Sequence, residues 1–183
     1  MKRFFSIVLA GALAIPALAQ DAKTNAAPEM IKPAVAGVQV PGQSFPASAA
    51  VLSAPLVLTN DYFQLVSDQA EVANGGKAVF DFAITNAGNY EIEALVNAPD
   101  ESSNSFFLNL DAQPTDPDMI WDIEVTSGFE KRTVSWRGNG DSASNEFAPK
   151  RFKLTPGAHQ LIIIGREPGT LLKSLSIRRA PID

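Results

Sequence analysis

The run Lys77–Asp111 is the most constraining stretch of this 183-residue chain, because its apolar side chains recur with a period of two. Ala78, Phe80, Phe82 and Ile84 fall on one face, with Val79, Asp81 and Ala83 on the other. Tyr90, Ile92, Ala94 and Val96 then alternate with Glu91 and Glu93, and Phe106, Leu108 and Leu110 repeat the pattern. Such alternation marks half-buried strands, since successive side chains of a strand point to opposite faces. Thr85-Asn86-Ala87-Gly88-Asn89 carries the residues that tolerate positive φ, so the first two strands are expected to form a hairpin. The polar stretch Asn97 to Asn104, broken by Pro99, delivers the chain into the third.

The same grammar continues to the C terminus. Leu56–Thr59 and Tyr62–Val66 are short strand candidates, and Asn74-Gly75-Gly76 turns the chain into the alternating stretch. Gln113 to Asp118 holds two prolines, which remove ladder donors, so it is a loop ending at Met119-Ile120-Trp121-Asp122. Thr133–Trp136, Arg151–Leu154, His159–Ile164 and Leu171–Ile177 complete the set, separated by Gly- and Pro-bearing turns. No segment outside the N terminus has a 3.6-residue period. Many short strands at near-regular spacing predict an all-β domain, a β-sandwich or jelly roll, over residues 56–183.

Residues 1–19 read as a secretory signal peptide. Lys2 and Arg3 give a positive start, Phe4 to Ile15 an apolar run, and Ala17-Leu18-Ala19 a cleavage site. The run is too short to span a bilayer, which takes about 20 residues, and no later segment is longer, so no membrane span is expected. The chain is read as secreted or periplasmic. Residues 20–55, with prolines at 28, 33, 41, 46 and 55 and Phe45 as the single aromatic, read as a disordered Ala/Pro-rich linker. A short strand at Val38–Val40 docking on the domain is the alternative.

Composition narrows the function. No cysteine is present, which removes disulfides, thiolate metal sites and a cysteine nucleophile, and the single histidine disfavours zinc. A net charge of −5, with scattered Lys and Arg, argues against a nucleic-acid partner. Without Lys2 and Arg3, thirteen basic residues face twenty acidic ones, a net of −7. Asp116, Asp118, Asp122 and Glu124 lie close together, and paired carboxylates are what a glycosidase uses. A run of this kind is ordinarily a solvated loop, and no nucleophile motif such as G-x-S-x-G accompanies it, so the chain is not expected to be an enzyme. His159 beside an apolar strand reads as structural, and Arg166-Glu167 as a local pair shaping a turn.

Gly76-Lys77-Ala78-Val79-Phe80, Ala87-Gly88-Asn89-Tyr90, Ser102 to Phe107, Phe152-x-Leu154-x-x-Gly157-x-His159 and Gly165-Arg166-Glu167-x-Gly169-Thr170 occur in an order that resembles carbohydrate-binding modules of the family 6 and 35 type. The resemblance covers nearly all of residues 56–183. It implies a galactose-binding-like β-jelly roll that binds a polysaccharide or oligosaccharide without cutting it. Relatives often carry an Asp after G-T-x-L that helps hold a structural calcium; here Gly169-Thr170-Leu171-Leu172 is followed by Lys173, which cannot ligate the ion. Pro55-Leu56-Val57-Leu58 also lacks the paired glutamates of many relatives, so neither a metal nor another cofactor is expected.

Sugar recognition calls for an aromatic platform under the pyranose ring and polar groups that fix its hydroxyls. Trp121, just after the Pro/Asp loop, is the first candidate platform, with Asp122 and the loop residues Ser102, Ser103 and Asn104 as hydrogen-bonding partners. Trp136 is the second, although its alternation with Val134 suggests an inward face. The alternative reading is a structural or adhesive sandwich that binds a protein partner through an exposed edge or loop face.

Overall fold

A computed structural model describes residues 42–137 and 147–181; the signal peptide, most of the linker and the Val38–Val40 alternative lie outside the described residues. The strands in chain order are β1 (Gln43–Pro46), β2 (Val51–Ser53), β3 (Leu56–Thr59), β4 (Tyr62–Leu65), β5 (Lys77–Ile84), β6 (Gly88–Asn97), β7 (Ser105–Leu110), β8 (Ile120–Asp122), β9 (Glu130–Thr133), β10 (Phe152–Leu154), β11 (Gly157–Gly165) and β12 (Leu171–Arg179). One sheet runs β10-β6-β12-β4-β3, with β1 added to β12 and β9 to β6. The other runs β2-β5-β11-β7-β8, and every pairing in both sheets is antiparallel. Two facing sheets with the chain passing repeatedly between them make a β-sandwich of jelly-roll type.

The core follows the period-two pattern. Ala78, Phe80, Phe82 and Ile84 of β5 meet Tyr90, Ile92, Ala94 and Val96 of β6 and Phe106 and Leu108 of β7 in one buried cluster. The expected hairpin between β5 and β6 is not there. β5 pairs with β2 and β11, while β6 pairs with β10, β12 and β9, so the Thr85–Ala87 connection carries the chain from one sheet to the other. Alternation reports which face is buried, not which strand lies alongside, and here β11 offers β5 eight paired residues. The ring hydroxyl of Tyr90 donates to Asn86 O at 2.7 Å and holds this arch.

The linker reading also needs correction at its C-terminal end. β1 pairs with the middle of β12, Gln43↔Ile177 to Pro46↔Ser174, and β2 pairs with β5. Phe45 packs edge-on to Phe80 with centroids 6.1 Å apart, and Ala47 is buried. Proline content hid these strands: Pro46 ends β1 and Pro55 lies in the turn between β2 and β3, positions where no ladder donor is needed. β9 covers Glu130–Thr133 rather than Thr133–Trp136; Val134 leaves the ladder regularity but its N–H still donates to Ile92 O at 2.8 Å.

All six residues of β7 are buried, because the segment between β4 and β5 covers the outer face of its sheet. There Phe107, Ile120 and Ile164 form a second apolar cluster with Val72. The covering segment is tied down where Gly165 N–H donates to Gly75 O at 3.2 Å; a Cβ on Gly75 would stand 1.9 Å from Gly165 O, so only glycine fits.

Candidate functional site

β8 is an edge strand of one sheet and β9 an edge strand of the other, and along this side of the sandwich they line a groove of about 300 Å³. Asp122 and Glu124 form one wall and Lys131, Arg132 and Thr133 the other, with Phe147 and Pro149 closing it. The Phe147 side chain belongs to a residue 38% exposed. An aromatic ring beside convergent polar groups is the chemistry that sugar binding requires.

The groove walls are fixed by local hydrogen bonds. Thr126 N–H donates to Ala98 O and Ala98 N–H to Thr126 Oγ1, each at 2.8 Å, which pins the β8–β9 loop against the β6–β7 loop. Ser127 donates to Glu130 Oε1 through both N–H and hydroxyl at 2.9 Å. The Ser127 amide, its hydroxyl and Arg132 hold the Glu130 carboxyl below the usual carboxylate range.

Charges in the groove come in pairs. Arg137 grips Asp122 with Nε and Nη2, both at 2.6 Å, in the two-pronged geometry that a guanidinium and a carboxylate share. Arg132 Nη2 donates to Glu130 Oε2 at 2.8 Å, and its Nη1 to Lys131 O at 3.1 Å. Lys131 Nζ lies 2.9 Å from Glu93 Oε1. Arg132 Nε, in contrast, is shielded from solvent without a hydrogen bond; Glu124 Oε2 stands 3.6 Å away.

Trp121 does not present a platform. Its pairing opposite Phe106 turns the ring inward, where it is 1% exposed and packs on Phe106 at a centroid separation of 6.3 Å. It therefore lies beneath the groove, and its neighbour Asp122 faces Arg137. Trp136 is half-buried and spans the open side between the sheets. Its indole Nε1 donates to Leu108 O at 2.9 Å, a carbonyl left open because Met119 N–H turns back to Thr115 O. Its ring meets Phe152 edge-on at 5.5 Å, and Lys150 Nζ sits 4.2 Å above its face. Burial there lowers the Lys150 pKa. Trp136 closes the sandwich rather than offering a bare surface.

The Ser102–Asn104 loop is tied down by hydrogen bonds to Asp100, Glu167 and Ile123. Ser102 N–H and Oγ donate to Asp100 Oδ1 at 2.9 and 2.7 Å, bonds that depress the Asp100 pKa, while Ser103 N–H donates to Asp100 O at 3.0 Å. Asn104 is buried; its N–H donates to Glu167 Oε2 at 3.0 Å and its carbonyl accepts from Ile123 N–H at 2.8 Å. Arg166 pairs with the same Glu167 and donates to Ser105 Oγ at 2.6 Å, so this network shapes the turn. The structure thus brings Asn104 alongside the end of β8 near Asp122 but turns both tryptophans away. Lys131, Arg132 and Phe147 were missed by sequence reasoning; a lone aromatic emerging from the polar 137–149 loop is the signal that could have found the last.

A second groove of about 240 Å³ on the outer face of the larger sheet is lined by Ser44, Glu93, Ser174 and Ser176 among others, with no aromatic among its lining residues. Among the described residues there is no group of three or more His, Asp or Glu side chains that could hold a metal ion, and no helix long and apolar enough to cross a membrane.

No family model and no curated protein matches the chain. Solved structures do. The β-(1,4)-mannanase of Podospora anserina, a GH26-CBM35 protein, matches at 10% identity and a TM-score of 0.53 over 78% of this chain, which spans 28% of the mannanase. The family 35 carbohydrate-binding module from Clostridium thermocellum matches at 13% identity and a TM-score of 0.52, over 77% of this chain and 100% of that one. The mannan-binding module from Man5C matches at 17% identity and a TM-score of 0.50, over 76% and 99%. At such identities the likeness is one of architecture: the chain has the β-jelly-roll fold of family 35 carbohydrate-binding modules.

Proposed function

We propose that the chain is an exported, non-catalytic carbohydrate-binding domain that takes a polysaccharide or oligosaccharide in the groove between β8 and β9. The observation that carries this reading is the exposed Phe147 ring beside Asp122, Lys131 and Arg132 in one concave surface, on a fold used by glycan-binding modules. Phe147 covers the apolar face of a sugar ring, and the charged walls hold its hydroxyls. Export is read from the N-terminal sequence. Affinity electrophoresis in gels cast with mannan, xylan, β-glucan and galactan tests it, with mannan first because two of the matched proteins carry that word in their names. Retardation by one of these polymers, reduced in Phe147→Ala, is the expected result; unretarded migration in all four contradicts the proposal.

A second reading, a sandwich that binds a protein partner by its edge, draws support from β2 and β3. These short edge strands expose Val51 and Leu58 at 69% and 42%. Co-purification of one protein, abolished by Val51→Lys, together with unretarded migration in every glycan gel, would favour it.

A further inference from the structure

We propose that Glu124 and Arg132 together read a hydroxyl group of an uncharged sugar, so that the groove takes neutral glycans and rejects acidic ones. The inference builds on the glycan-binding reading of this groove. Its first support is charge. Each cation of the walls already has a carboxylate partner: Arg137 has Asp122, Arg132 has Glu130 and Lys131 has Glu93. Glu124 adds a further carboxylate to the wall. A uronate or sulfate entering here would face these carboxylates and compete with one of them for a cation, whereas an uncharged sugar leaves the three pairs in place.

The second support is the one open contact. Arg132 has spent Nη1 and Nη2 on Lys131 O and Glu130, which fixes the plane of its guanidinium, yet Nε–H has no acceptor. Glu124 Oε2, at 3.6 Å, is too far for a hydrogen bond, and Nε is shielded from water. A sugar hydroxyl accepts one hydrogen bond and donates another. Accepting at about 2.9 Å and donating at about 2.7 Å with tetrahedral geometry, it needs partners about 4.5 Å apart. Glu124 need therefore withdraw by only about 1 Å, and its side chain is 68% exposed. The hydroxyl then accepts from Arg132 Nε–H and donates to Glu124, giving a buried donor its missing partner. A carboxylate or sulfate in the place of that hydroxyl cannot donate to Glu124, so at that position the pair discriminates in the same direction as the charge of the walls.

Isothermal titration with mannohexaose, xylohexaose and cellohexaose as neutral probes, and with a hexamer of galacturonic acid as the acidic one, tests this. At least one neutral hexamer should bind, with affinity changed by less than about twofold between about 0.05 and 0.5 M NaCl, and the galacturonate should bind at least about tenfold more weakly. Glu124→Ala and Arg132→Lys should each weaken the neutral hexamer by about tenfold, with the double variant losing less than the product, because both act on one hydroxyl. Glu124→Ala alters an exposed side chain and should melt as the parent does. Tighter, steeply salt-dependent binding of galacturonate, or neutral binding unchanged in Glu124→Ala, overturns this inference while leaving the glycan reading intact. Binding of none of the four hexamers by the parent overturns both.

Discussion

Replacing Trp121 with alanine separates a core tryptophan from a binding platform. The ring is 1% exposed and packed on Phe106, so truncation removes an aromatic surface of about 200 Å², worth about 5 kcal/mol at 25 cal/mol per Å². Aromatic-to-alanine changes in cores cost about 3–5 kcal/mol once the cavity partly relaxes. Against a total stability of about 5–15 kcal/mol this is a large fraction, and for a domain of this size it lowers the melting temperature by about 10–20 °C. Near-ultraviolet circular dichroism during a thermal ramp reads the change, and Trp121→Phe, which keeps a ring in the pocket, should recover more than half of the loss. A Trp121→Ala protein that melts with the parent yet no longer binds glycan would show that the ring meets ligand, and would refute the inward placement.

Trp136→Phe deletes the indole donor to Leu108 O while keeping a ring against Phe152, and should cost about 1–3 kcal/mol in urea titration as that carbonyl loses its partner. Gly75→Ala forces a methyl against Gly165 O and should prevent accumulation of folded protein or lower its melting temperature sharply in the same ramp. Asp100 and Glu130 have carboxyls held below their ordinary range by Ser102 and Ser127, so their loop contacts are fully present above about pH 5 and are lost as the pH falls through the lower folded values; amide protection factors at Ser102 and Ser127 should fall first in acid. Unchanged protection factors at these amides down to the unfolding pH would count against that order.

What could be read from sequence was the set of faces. The alternation in β5, β6 and β7 named the core residues of all three strands, since burial and side-chain period are written in the same positions. Pairing partners were not legible, because β11 and β12 supply them from fifty or more residues away along the chain. β1 and β2 were lost for a compositional reason: prolines at 28, 33, 41 and 46 and many alanines masked Phe45, Ala47 and Leu52, whose packing on the core makes residues 43–53 part of the sandwich. Of the residues lining the candidate groove, the sequence offered Trp121 and Asp122 as ligand contacts. Nearness to a polar loop makes Trp121 a candidate platform, but register with Phe106 decides orientation, and register is a property of two strands. Lys131 and Arg132 looked like scattered surface charge until β9 brought them across from β8.

The central claim is that the groove between β8 and β9 holds a glycan, and residue-resolved amide and side-chain NMR titration with a retained oligosaccharide tests it most directly. Saturable shifts are expected at Asp122, Glu124, Lys131, Arg132, Thr133 and the Phe147 ring alone, with the Ser102–Asn104 loop and the outer face at Ser174 and Ser176 unmoved. Shifts centred on either of those surfaces, or none at any concentration of mannan, xylan, β-glucan or galactan fragments, would contradict it.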